Sequence, residues 1–151
     1  MKRTSPLFYI GTILLLVAVA ASVILSGTKL GLFDSIPGCG VGSGCDSVTS
    51  GPWGTVMGVP VSFIGFGWFF GLFVGWVTSG GLSKKFLWSV RLGALASVGF
   101  IAVMVSIGSF CKWCALAHLC NILFWIICEF GVPKSCDHSK TQEVVSEGGV
   151  V

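Results

Sequence analysis

The first apolar stretch of the chain, residues 7–25, reads LFYIGTILLLVAVAASVIL and contains no charged side chain. An α-helix needs about 20 apolar residues to cross the hydrocarbon core of a bilayer. This stretch therefore predicts a retained membrane-spanning helix. Three further apolar stretches follow, over residues 59–77, 86–107 and 111–132. Together they predict an all-α fold, an integral-membrane bundle of four helices.

The composition supports the same class. Of the 151 residues, 54% are hydrophobic and 10% are charged, whereas soluble domains carry about 25% charged residues. An ordinary soluble domain is therefore excluded. The formal net charge of +3 is too small to indicate nucleic-acid binding. We expect one catalytic domain over residues 1–132, with an outer loop at 26–58 that has room for a short helix, and a polar, disordered tail at 133–151.

The basic residues predict the orientation, because Lys and Arg accumulate in cytoplasmic loops near helix ends. Seven of the nine fall on one side of the predicted bundle: Lys2, Arg3, Lys84, Lys85, Arg91, Lys134 and Lys140. Lys29 and Lys112 fall on the other side. Both termini are therefore predicted to be cytoplasmic, and the loop at 26–58 and the turn before residue 111 are predicted to face the periplasm, lumen or exterior.

This topology gathers two cysteine pairs on the outer side, Cys39 with Cys45 and Cys111 with Cys114. The second pair is a C-x-x-C at the start of a helix, where backbone N–H groups and the helix dipole favour a thiolate. The glycine-rich spacer of the first pair gives its backbone freedom to swing a sulfur toward a partner. A zinc site is the alternative, but a five-residue spacer and a pair that borders lipid are unlike structural zinc knuckles.

The last helix also carries polar side chains on one face. At about 100° per residue, His118, Asn121 and Cys128 fall close to Cys114. Polar groups within a membrane helix usually face the bundle or a cavity. We expect a ligand-facing role for His118, while Asn121 is equally well explained by a hydrogen bond between helices. The remaining cysteines are best explained as small hydrophobic residues: Cys120, Cys128 and Cys136.

With these residues in place, the sequence resembles the vitamin K epoxide reductase family in its compact four-helix form, without a fused thioredoxin-like domain. The resemblance covers residues 7–132. Three segments carry it: GCGVGSGCDSVTS at 38–50, WGTVMGVPVSFIG at 53–65 and FCKWCALAHLCN at 110–121. The order, with the loop pair first and the C-x-x-C at the start of the last helix, is the order found in this family.

The resemblance implies a thiol–disulfide relay that ends on a quinone of the ubiquinone, menaquinone or vitamin K type, with no metal. Cys39 would exchange with a partner, Cys45 would pass electrons to Cys111, and Cys114 would face the quinone. Each step is the attack of a thiolate on a disulfide sulfur. The implied partners are the lipid bilayer, the quinone and a thioredoxin-fold thiol protein on the outer side, with no nucleic acid.

The resemblance also suggests residues around the quinone. His118 stands where several members carry a quinone-bonding tyrosine. Val61, with Ser62 beside it, stands where animal members carry an amide, which favours an ordinary membrane quinone over vitamin K epoxide. The apolar Val56 and Met57 are suited to a lid over the ring, although lipid contact explains them nearly as well. Asn121 completes the predicted quinone-binding set.

The leading hypothesis is an enzyme, a quinone-dependent thiol–disulfide oxidoreductase that supports disulfide-bond formation. One alternative is an enzyme whose purpose is the reduction of a quinone or of vitamin K epoxide. A second alternative is a non-catalytic membrane scaffold or metal-binding protein whose cysteines are structural.

Overall fold

The structure is a computed structural model that describes residues 5–32, 39, 42–79 and 83–131. The predicted tail at 133–151 and Cys136 lie outside these residues. The elements in chain order are α1 (Pro6–Lys29), α2 (Gly44–Ser50), β1 (Thr55–Val56), β2 (Val59–Pro60), α3 (Val61–Ser79), α4 (Lys84–Ser106) and α5 (Lys112–Ile126), which continues into a π-helical turn at Ile127–Gly131.

Within the described residues, four helices are long and apolar enough to span a membrane, which confirms the predicted all-α membrane bundle. They are α1, α3, α4 and α5 with its π-helical turn. The outer loop contains the short helix α2. Helix α1 runs four residues beyond the predicted end at 25, because Ser26 and Gly27 are still buried in the bundle. Serine side chains cap the starts of two spanning helices, Ser5 at α1 and Ser83 at α4.

Helix α1 packs against α3 and α5, and α4 packs mainly against α5. At one end of this bundle, all the spanning helices contribute to a buried group that we call the aromatic cluster: Leu15, Leu72, Trp76, Val90, Phe124 and Cys128. The rings of Trp76 and Phe124 meet edge to face at 5.0 Å, a preferred geometry for aromatic pairs. Gly11 permits this approach, since a Cβ there would lie 3.0 Å from the Trp76 ring.

Near the same end, an ion pair joins α4 to the π-helical turn. The Arg91 guanidinium donates to both carboxylate oxygens of Glu129, with a shortest distance of 2.8 Å. Such bidentate pairs are geometrically specific and stronger than neutral hydrogen bonds. The contact holds α4 and α5 in one rotational setting.

At the opposite end, α2 lies against the bundle and contributes to a second buried group, which we call the cysteine cluster: Leu25, Cys45, Val48, Met104, Cys111 and Ala115. Polar contacts fix α2 from outside. Lys29 Nζ donates to Ser50 Oγ at 2.7 Å, and Ser50 Oγ donates to Asp46 at 2.8 Å. The other oxygen of Asp46 accepts the backbone N–H of Gly42 at 3.2 Å. The end of α1 therefore holds the loop in place.

Between α2 and α3 the chain forms a small hairpin. Strands β1 and β2 are antiparallel, with Val56 opposite Val59. Met57 and Gly58 form the turn with φ values of 53° and 83°, and two-residue hairpin turns favour such positive values because they match the twist of the strands. The turn leaves Met57 at the tip, with 99% of its surface exposed.

Candidate active site

A disulfide joins Cys39 and Cys45 in the loop between α1 and α3. Ser43 caps the start of α2 by accepting the Asp46 N–H, and this short helix places Cys45 in the cysteine cluster. Cys45 is buried, whereas Cys39 is partly exposed. The two sulfurs of the pair therefore have different access to solvent.

Cys111 is not in a disulfide, and its sulfur lies 3.1 Å from the Cys45 sulfur. It is fully buried and caps α5, where it accepts the Cys114 N–H at 3.2 Å. A hydrogen bond from the Cys114 thiol lowers the pKa of the Cys111 thiol, and the backbone N–H groups of Cys114 and Trp113 add to this against the opposing effect of burial. Cys111 is therefore suited to be a thiolate beside the loop disulfide.

The sulfurs of Cys39, Cys45 and Cys111 lie within 4.8 Å of one another. A metal would require thiolate ligands, and two of these three sulfurs are joined to each other. In this redox state, the arrangement fits disulfide exchange rather than metal coordination.

Cys114 faces a different surrounding from Cys111. It lines a cavity of about 60 Å³ together with His118, one turn further along α5. The His118 ring stacks on Phe100 at 5.1 Å and meets Phe69 edge to face at 6.4 Å, and both phenylalanines also line the cavity. The two cysteines of the C-x-x-C thus have different surroundings. Cys111 lies beside the loop disulfide, and Cys114 lines a cavity with aromatic walls.

Two more of the predicted quinone-binding residues, Val61 and Ser62, line the same cavity. The Ser62 hydroxyl is buried and has no hydrogen-bond partner among the described residues, so it is available to a polar atom of a ligand. Val56 and Met57 stand on the exposed hairpin and are not part of the cavity lining. Of the loop hydroxyls, Thr49 lines the cavity, whereas Ser50 binds Asp46.

Asn121 is fully buried and does not line the cavity. Its amide donates to Ser97 Oγ at 2.9 Å, and Ser97 Oγ in turn lies 3.0 Å from Nδ1 of His118. The sequence reasoning missed Ser97, as well as the aromatic walls Phe69 and Phe100. The available signal for Ser97 was a hydroxyl near the middle of an apolar membrane helix.

Comparison with protein families found that the model of the Vitamin K epoxide reductase family matches residues 9–128. Searches of curated proteins and of solved structures found no match. The matched range contains α3 and α4, nearly all of the first and last spanning helices, the loop disulfide and the C-x-x-C. The chain therefore belongs to the vitamin K epoxide reductase family, as a multi-pass membrane oxidoreductase.

Proposed function

We propose that this membrane oxidoreductase carries electrons from a thiol protein through Cys39 and Cys45, then through Cys111 and Cys114, to a quinone. The observation that carries the proposal is the distance of 3.1 Å between the sulfurs of Cys45 and Cys111. This contact brings the two cysteine pairs together, although Cys45 and Cys111 are 66 residues apart in the chain. Thiol–disulfide exchange needs such an approach, since the attacking sulfur must reach the sulfur that it will bond.

The exchange between the pairs takes two steps. The Cys45 thiolate attacks Cys111 in a Cys111–Cys114 disulfide and releases Cys114 as a thiolate. The Cys39 thiolate then attacks Cys45, which forms the Cys39–Cys45 disulfide and releases Cys111 as a thiolate. A thiol of low pKa leaves faster, so the lowered pKa of Cys111 favours the second step. The structure, with the loop pair oxidised and Cys111 reduced beside it, corresponds to its product.

The outer end of the relay starts at Cys39, the more exposed sulfur of the loop disulfide. A partner thiolate attacks Cys39 and releases Cys45, and a second thiolate of the partner then releases Cys39. The partner gains a disulfide, and the loop pair gains two electrons and two protons. A thioredoxin-fold protein with two adjacent thiols is the class of partner that suits this exchange.

At the inner end, Cys111 and Cys114 become a disulfide when their two electrons and two protons pass to an acceptor in the cavity. A quinone, when bound, accepts two electrons and two protons and becomes the hydroquinone. His118 and Ser62 offer polar groups for its oxygens, and the rings of Phe69 and Phe100 offer flat apolar walls. This set of groups fits a quinone.

The size of the cavity sets one condition on binding. Its volume is about 60 Å³, whereas an engineered protein cavity that admits benzene has a volume of about 150 Å³. The walls must therefore move apart before a quinone ring can enter. The wall formed by Val48 and Thr49 belongs to the short helix α2, which is not a spanning helix, so we expect this wall to move most readily.

The order of the relay can be tested with a double variant. Cys39→Ala with Cys114→Ala leaves Cys45 and Cys111 as the remaining relay thiols, and we expect mild oxidation to join them in most molecules. The matched control, Cys39→Ala with Cys111→Ala, leaves Cys45 and Cys114 and should give far less of a link. Mass spectrometry of the unreduced protein measures both. An equal yield in the two proteins would contradict the path through Cys111.

The quinone step can be tested with Cys114→Ala in the full chain. Quinone-dependent oxidation of a model dithiol should fall to background, because the sulfur that faces the cavity is lost. Cys120→Ala is the matched control, since Cys120 is a buried thiol of the same helix outside the cavity lining. It should retain the rate of the parent protein. Turnover at the parent rate in Cys114→Ala would show that the proposed function is wrong.

We also propose that the cysteine end of the bundle faces the outer compartment and that both termini are cytoplasmic. Lys84 and Lys85 lie at the opposite end from the cysteine cluster, which supports this orientation. A membrane-impermeant thiol reagent, applied to intact cells after mild reduction, should label Cys39 and leave Cys136 unlabelled. The reverse labelling would overturn the orientation.

A further inference from the structure

Ser97 behaves differently from the other serines of α4. The hydroxyls of Ser89 and Ser106 donate to carbonyl oxygens of their own helix, those of Lys85 and Val103. Among the described residues, the hydroxyl of Ser97 instead has two side-chain partners, both on α5. Its oxygen is almost fully buried, so water does not replace these contacts.

The direction of the two bonds follows from counting donors and acceptors. The Asn121 amide donates to Ser97 Oγ at 2.9 Å. The Ser97 oxygen can accept two hydrogen bonds, and its hydroxyl can donate one. Among the described partners of Ser97, Nδ1 of His118, 3.0 Å away, is the acceptor for that proton, and a protonated Nδ1 would leave the buried hydroxyl proton without an acceptor. The orientation shown leaves one N–H and the oxygen of the Asn121 amide without a partner among the described residues, whereas the reversed amide would leave both N–H donors without one.

A neutral imidazole has one nitrogen that donates and one that accepts. We propose that Ser97, oriented by Asn121, holds His118 as the tautomer with its proton on Nε2, so that the ring donates a hydrogen bond to a quinone oxygen beside Cys114. This inference rests on the proposed function for the identity of the ligand. Ser97 and Asn121 are then positioning residues, which act on the ligand through His118.

The two neutral tautomers of His118 would act differently on a ligand in the cavity. Nδ1 of His118 lies beside Ser97 of α4, and His118 lines the cavity whereas Ser97 does not, so we infer that Nε2 is the ring nitrogen available to a ligand in the cavity. With its proton on Nε2 the ring attracts an oxygen that gains negative charge during reduction. With its proton on Nδ1, the ring would present a lone pair to that oxygen and repel it.

The tautomer can be measured without any quinone. Nitrogen NMR of the full chain with labelled histidine distinguishes the protonated from the unprotonated ring nitrogen, and His138→Gln removes the signal of the other histidine. We expect the proton on Nε2 and a hydrogen-bonded, unprotonated Nδ1. Ser97→Ala should shift the Nδ1 resonance, Ser97→Thr should restore it, and Ser106→Ala should leave it unchanged. A proton on Nδ1 in the parent protein would overturn the inference.

Kinetics separate a positioning role from a structural one. With a short-tailed ubiquinone as acceptor, Ser97→Ala should lower kcat/KM by about twofold to tenfold, the worth of one hydrogen bond. The same change in a His118→Phe background should have no further effect, because Ser97 acts through that ring. An equal loss in both backgrounds would show that Ser97 merely supports the fold and would refute the inference.

The two proposals fail in different ways. If Cys114→Ala keeps quinone-dependent turnover, the relay is wrong, while the tautomer of His118 still stands on the spectrum. If the spectrum places the proton on Nδ1, the inference is wrong, while the relay still stands on the variants of Cys111 and Cys114.

Discussion

The aromatic cluster and the cysteine cluster lie at opposite ends of one bundle and are built in different ways. Every member of the aromatic cluster comes from a spanning helix or its π-helical turn, and large rings fill the space. In the cysteine cluster, Cys45 and Val48 come from the short helix α2, and the cavity lies next to this cluster. We therefore expect the aromatic end to supply most of the stability and the cysteine end to keep the mobility that the proposed exchange requires.

The strongest test of this division is Phe124→Ala in the aromatic cluster. Deleting a buried phenylalanine costs about 3–5 kcal/mol in water-soluble proteins. Here lipid is as apolar as the core, so we expect the packing part of that cost, about 2 kcal/mol. The loss in free energy of unfolding can be measured by denaturing the protein in mixed micelles. Phe130→Ala, a control at a ring that is 78% exposed, should cost almost nothing. The relay rate per folded molecule should be unchanged in both.

A smaller effect is expected from Asp46→Asn at the cysteine end, where polar contacts hold α2. The Ser50 hydroxyl, then the Gly42 N–H and the Lys29 charge, lower the pKa of Asp46 below 3.8. We expect the variant to loosen the loop and to raise the rate at which a phosphine reduces the Cys39–Cys45 disulfide severalfold. Ser47→Ala, at an exposed residue of the same helix, is the control.

The same carboxylate predicts a pH dependence. Folding lowers the pKa of Asp46 from its ordinary value of 3.8. The stabilisation of the loop by this carboxylate is therefore fully present above pH 3.8, and it is lost as the pH falls through the pKa of Asp46 in the folded protein. The reduction rates of the parent protein and of Asp46→Asn should therefore differ at neutral pH and converge in acid. Rates that stay apart below that pKa would assign the effect to something other than the carboxylate charge.

The smallest effect is expected at the hairpin tip. Met57 adopts a positive φ, which Asn tolerates better than Met. Met57→Asn should therefore raise the free energy of unfolding by up to about 1 kcal/mol, whereas Val56→Asn, beside it in β1, has no such strain to relieve. The KM for quinone should not change, since Met57 does not line the cavity. A severalfold rise in KM would restore the lid role that the sequence suggested.

Much of the fold could be predicted because its signals are local. Four apolar stretches of spanning length and the distribution of Lys and Arg are readable without knowing any contact. The meeting of the two cysteine pairs followed from that topology, and the 3.1 Å contact of Cys45 with Cys111 agrees with it. The predicted cavity residues His118, Val61 and Ser62 also come together.

What the sequence did not reveal depends on how the helices are rotated against one another. Composition does not say which face of α4 meets α5, so the contacts of Ser97 with His118 and of Arg91 with Glu129 could not be anticipated. The hairpin is similar, because a two-residue turn decides whether Met57 points inward or outward, and its apolar character does not reveal which. The lid role stays a prediction.

The ion pair between Arg91 and Glu129 has a consequence for biosynthesis. The chain is made from the N-terminus, so α4 reaches the membrane with a partly exposed cation, Arg91, whose carboxylate partner lies 38 residues further on. An unpartnered arginine is costly within a bilayer. We therefore expect helix α4 to reach its final rotation only after α5 has been inserted, so that completion of the C-x-x-C helix and closure of the bundle coincide.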